Sequence, residues 1–136
     1  MNRTLNKLLD SFIKPNGTSI AENISAWFIT KPKIYEGFFT QTGTTAPTGN
    51  VLEDGIGAPV WARTAVGTFT LTKTGAFTSG KTVPVDDVYT DQSGNLYKIN
   101  RTSANVMTLL TYAAADTTVL ADGVLNNRFI HIEIRP

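Results

Sequence analysis

The chain has 136 residues, enough for one domain with a core of its own, and is 41% hydrophobic and 17% charged. A net charge of +1 argues against a strongly electrostatic partner such as duplex DNA, and the absence of cysteine removes disulfides, thiolate nucleophiles and cysteine-based zinc sites. No apolar run approaches the ~20 residues of a membrane-spanning helix, and Asn2, Arg3, Asn6, Lys7 and Asp10 break up any signal-peptide core, so folding in a cytoplasm is expected.

The first thirty residues read as a helical arm. Leu5, Leu8, Leu9, Phe12 and Ile13 recur at helical spacing and form one apolar stripe, with Arg3, Lys7 and Asp10 off it. Pro15, Asn16 and Gly17 end that helix. Ser19 and Glu22 then make a capping box for a second helix carrying Ile20, Ile24, Trp27 and Phe28 on one side. Pro32 keeps that helix from passing Thr30. Helices this short are marginal alone in water. Their stripes therefore need a partner, which is either the rest of the chain or another molecule. The domain organisation expected is an arm over 1–32 and an all-β domain over 33–136.

From Lys33 the pattern changes to strands. Lys33–Gln41 (KIYEGFFTQ) is rich in β-formers, and a Gly-, Pro- and Thr-rich loop follows over Thr42–Asn50. Val51–Gly57 is a brief strand running into a turn, and Ala58–Thr64 carries Trp61. Thr68–Thr74 alternates without a fault, with Phe69 and Leu71 on one face, threonines on the other, and Gly67 and Gly75 at its ends. Threonine makes up roughly one residue in six or seven, which suits a pleated, half-wet surface. Lys81–Val85 and Asp87–Thr90 form an edge run because Pro84 lies in it.

Leu96–Arg101 and Asn105–Tyr112 read as a hairpin, after a turn over Asp91–Asn95. Val106–Leu110 is nearly all apolar, which predicts a central strand covered on both faces. Ala113–Val124, rich in Ala, Asp and Thr, reads as loop with at most one helical turn. Ile130, Ile132 and Ile134 then face one side of the last strand, with Phe129, His131, Glu133 and Arg135 on the other. The sum is seven to eight short antiparallel strands, the pattern of a β-sandwich or small barrel.

Chemistry-bearing constellations are scarce. His131 reads as a surface or interface residue on a terminal strand. The serines lack a nucleophile-elbow context. Glu53 with Asp54, and Asp86, Asp87 and Asp91, are the acidic candidates for a small hydrolase, but adjacent carboxylates on a strand point to opposite faces. Asp91–Asn95 lacks the distal glutamate of a calcium loop. No metal, cofactor or catalytic residue is therefore expected. Trp27, Tyr35, Tyr89, Tyr97 and Tyr112 would stack on sugars if they met on one face, which keeps a carbohydrate-binding module or adhesin as an alternative.

Several phrases together carry a family resemblance: Tyr35–Gln41 (YEGFFTQ), Gly43–Leu52 (GTTAPTGNVL), Glu53-Asp54, Trp61 with Arg63, Gly67-Thr68-Phe69 and Thr74–Phe77 (TGAF). Asp122–Asn127 (DGVLNN) and the closing I-x-I-x-I-R-P complete the set. The chain over about residues 33–136 resembles small β-domains in structural proteins of tailed bacteriophages, including those of crAss-like Bacteroides viruses. The resemblance implies a non-enzymatic virion component: a capsid auxiliary or decoration protein, or a head-fibre subunit. Its partners would be the major capsid protein, other virion proteins or further copies in a dimer or trimer, with host glycans as a further ligand class. Neither nucleic acid nor membrane is implied. The arm is not part of the resemblance; its Leu5, Leu8, Leu9, Phe12, Ile20, Ile24, Trp27 and Phe28 are the expected anchoring contacts.

Overall fold

The computed structural model describes residues 31–136 apart from 86–87, 91–93 and 114–117. The expected helical arm and all eight anchoring residues lie outside the described residues. Pro32–Arg135 forms a compact unit by itself.

Nine strands are present among the described residues: β1 (Lys33–Thr40), β2 (Thr48–Asp54), β3 (Val60–Ala65), β4 (Thr68–Thr72), β5 (Thr82–Val85), β6 (Val88–Thr90), β7 (Leu96–Arg101), β8 (Val106–Tyr112) and β9 (Arg128–Ile134). They make two antiparallel sheets, ordered β2-β1-β9-β5 and β3-β4-β8-β7-β6. The domain is thus all-β, with nine strands where the sequence suggested seven to eight. The run containing Pro84 accounts for part of the difference. It supplies two edges, one to each sheet, with Pro84 opposite Ile132 in β5.

Alternation sets the inward face of each strand. Tyr35 and Phe39 of β1 and Ile130, Ile132 and Ile134 of β9 are buried on one sheet. Phe69 and Leu71 of β4, Tyr97 and Ile99 of β7, and Met107 and Leu109 of β8 are buried on the other. Together with Ile56, Phe77 and Leu125 they form a single core. The outer face of the five-stranded sheet carries Thr70 opposite Thr108, with Ala62 and Asn100 as their next neighbours. That row is half-wet, as β-branched polar side chains permit.

Two expectations need correction. The first concerns β8, which is central in its sheet but covered on one face only. Met107, Leu109 and Thr111 are buried, whereas Val106 and Leu110 are half-buried. Among the described residues, their cross-strand neighbours on that outer face are Thr72, Thr68 and Lys98. The second concerns β2, which begins at Thr48 inside the expected loop; it ends at Asp54, where the expected turn follows. All seven of its residues are exposed, so no buried face imposes an alternation to read. A register shift against Glu36 and Gly37 of β1 leaves Leu52 as a bulge.

Gly67 turns β3 into β4 at φ 58°, and a Cβ there would lie 2.6 Å from both Ala121 N and Thr111 O. Only glycine fits so close an approach.

The core depends most on side chains that touch both sheets. Ile132→Ala, at a fully buried position in β9, is expected to cost ~3 kcal/mol. Phe38→Ala, 39% exposed on the other face of β1, is expected to cost under ~1 kcal/mol. Urea unfolding of the two variants checks this through their midpoints at unchanged slope.

Candidate functional site

Several strong polar groups of the domain tie loops to sheets. Gln41, 2% exposed, directs Nε2–H to Gly43 O at 2.6 Å and Thr45 O at 3.0 Å, while its Oε1 accepts from Gly123 N. Its own N–H donates to Leu125 O at 2.8 Å. One amide side chain thus joins the loop after β1 to the loop before β9. Tyr97 Oη donates to Val124 O at 2.6 Å, fixing the same loop from β7.

A second tie lies at the β3–β4 turn. Arg63 grips Asp122 through Nε at 3.1 and 3.2 Å and Nη2 at 2.7 Å. Asp122 Oδ1 also accepts from Gly67 N at 2.9 Å. Thr111, fully buried, donates from Oγ1 to Ala121 O at 2.6 Å and from its N–H to Gly67 O at 2.9 Å. The Arg63 guanidinium, aided by the Gly67 N–H against a smaller burial penalty, holds the Asp122 carboxyl below its ordinary range.

Among the acidic candidates, Asp54 is structural. Its carboxylate accepts from Ile56 N at 3.2 Å, Gly57 N at 2.8 Å and Ala58 N, closing the turn after β2. Lys73 Nζ donates to Gly57 O across that turn. Glu53 lies opposite Glu36 of β1. Asp86, Asp87 and Asp91 lie outside the described residues. Among the described residues no three His, Asp or Glu side chains converge to hold a metal ion.

The aromatic candidates divide. Tyr35 and Tyr97 are core residues, 2% and 6% exposed, so neither can serve as a sugar platform. Tyr35 instead accepts from Trp61 Nε1–H at 3.1 Å, and Trp61 packs on Phe39 with ring centroids 5.5 Å apart. Burial raises the Tyr35 hydroxyl above its ordinary value; the Trp61 bond partly offsets this, and the Asp54 charge adds to it. Tyr112 is half-buried. Trp27 lies outside the described residues, as does the side chain of Tyr89.

What stands exposed is the outer face of the four-stranded sheet. Phe38 and Phe129 are paired across β1 and β9, are 39% and 46% exposed, and stand with ring centroids 5.3 Å apart. Beside them His131 Nδ1 lies 2.7 Å from Glu36 Oε2. His131 faces outward on β9, the last strand of the chain, which runs between β1 and β5. The outward side of Phe129 was legible from alternation along β9. Phe38 carried no such signal, because it sits beside Phe39 in an apolar pair.

The chain matches no family model, and comparison with curated proteins and with solved structures finds no match.

The Arg63–Asp122 contact gives a pH-dependent stability. A carboxyl whose folded pKa is depressed contributes fully above its unfolded value, about 3.9, and the contribution is lost as pH falls through the folded value. Asp122→Asn removes that titration. Its melting temperature is expected to fall by a few degrees at pH 7 and to decline less steeply below about pH 4 than that of the natural chain, measured by thermal melts from pH 2 to 7.

Proposed function

We propose that the chain is a structural protein of a tailed-phage virion, a capsid auxiliary or decoration protein or a head-fibre subunit. Residues 33–136 form a displayed β-sandwich, and helices in residues 1–32 anchor it to the shell or to sister copies. The observation that carries this reading is the self-sufficiency of Pro32–Arg135: its single core runs from Tyr35 to Ile134. A domain with a core of its own does not need a preceding segment to complete it. The commitment of Gln41, Asp54, Arg63, Asp122 and Thr111 to internal ties also suits a part whose task is to persist rather than to react.

A glycan-binding reading draws on the exposed Phe38–Phe129 pair and not on the tyrosines. In that reading, Phe38→Ala with Phe129→Ala abolishes a glycan-array signal.

Deleting residues 1–30 tests the attachment. The shortened chain is expected to stay soluble, to unfold cooperatively and to be missing from purified particles. Incorporation at the normal copy number would overturn the proposal.

A further inference from the structure

The two flanks of the domain differ in a way that bears on association. On one flank lie β5 and β6. β5 has four residues, includes Pro84, and shows Thr82, Val83 and Pro84 half-buried; β6 has only three residues. Short strands and proline are the usual means of blunting a sheet edge. On the opposite flank lie β2 and β3, brought to the same side by the contact of Trp61 in β3 with Tyr35 and Phe39 in β1. There β2 is exposed along its whole length, with Val51 at 43% and Leu52 at 53%, and Val60 of β3 is 64% exposed. From Thr48 to Leu52 this edge carries no proline, lysine or other charge.

We propose that β2 is a self-pairing edge: two copies of the chain join antiparallel through Thr48–Leu52, about a two-fold axis at Asn50. The occupant of a free strand edge is another strand, and the placement of charge selects this one. Antiparallel pairing centred on Asn50 sets Thr48 opposite Leu52 and Gly49 opposite Val51. Glu53 and Asp54 then fall opposite Pro47 and Ala46 at the two far ends, well apart from their symmetry mates. In-register parallel pairing would instead stack Glu53 on Glu53 and Asp54 on Asp54, which repel. At the axis the two Asn50 amides face each other, each with a donor and an acceptor to offer. Pro47 at one end, and the charged Glu53 just beyond the Leu52 bulge at the other, bound the pairing to five residues. The isologous contact uses β2 up, so the assembly closes at two copies.

The scale of the contact fixes its strength. Five residues of strand span about 17 Å, and the flank is about 10 Å thick, so each copy covers on the order of 200 Å². That is well below the roughly 800 Å² per partner of a stable complex, which places dissociation near ~0.1–1 mM. Such an edge joins chains that are already held side by side, where effective concentrations reach the millimolar range.

Amide hydrogen exchange on the full chain, between ~10 µM and ~1 mM, reads this edge directly. Exchange at those amides of 48–52 that point away from β1 is expected to slow about two- to fourfold at the high concentration. Asn50→Lys and Asn50→Asp should each lose that slowing while keeping the melting temperature, because each sets like charges against themselves at the axis. An equimolar mixture of the two variants should recover it. Val66→Lys, at an exposed site away from this edge, should behave as the natural chain. Concentration-independent exchange at 48–52 overturns the proposal, even if the mass of the particle rises through contacts elsewhere. So does slowing that survives in Asn50→Lys alone, or a mixture that fails to recover.

Discussion

Each sheet of this domain has one strongly apolar face, and the other sheet is where that face goes. Tyr35, Phe39 and the three isoleucines of β9 cannot leave water except against Phe69, Leu71, Met107 and Leu109. Burying a side chain of this size contributes about 1.5–3 kcal/mol, so the facing of the two sheets dominates the energetics of the fold. The strand order places β1 and β9 in the middle of one sheet and β4 and β8 inside the other. The most buried strand side chains therefore come from interior strands.

The polar ties act on what the core cannot reach. Loops have little apolar surface to bury, and their backbone groups need partners. Gln41, Tyr97 and Thr111 supply those partners to the segment between Ala121 and Leu125, and Asp122 within it accepts from Gly67 N in the β3–β4 turn. The segment approaches so closely that Gly67 has no room for a side chain. Much of the hydrogen-bonding capacity of the domain is thus directed inward. The outward surface is left with threonines on one sheet and the Phe38–Phe129 pair beside His131 and Glu36 on the other.

How much was legible in the sequence follows from where burial imposes a pattern. Strands with one buried face announced themselves: Phe69 and Leu71 against threonines in β4, and the three isoleucines of β9 with their register. Pro84 marked an edge correctly. Pattern failed where burial was absent or where chemistry was long-range. β2 is exposed on both faces, so its start was hidden within Gly and Pro residues. Val106–Leu110 was too apolar for its one-sided burial to be read. The ties made by Gln41 and Asp122 join residues far apart in the chain, and no local signal announces such a partner. The YEGFFTQ and GTTAPTGNVL stretches map onto β1, its following loop and β2, which are elements of architecture more than of chemistry.

One further property follows from the pairing of the first strand with the last. Lys33 lies opposite Ile134, so the polypeptide enters and leaves the domain about 5 Å apart, at one end of neighbouring antiparallel strands. Tension applied between those two points would open the β1–β9 ladder like a zipper, one rung at a time, and the domain would yield at modest force. Tension on the entry strand alone loads no such seam. A body of this shape tolerates being tethered by a single leash far better than being strung in series within a stretched cable.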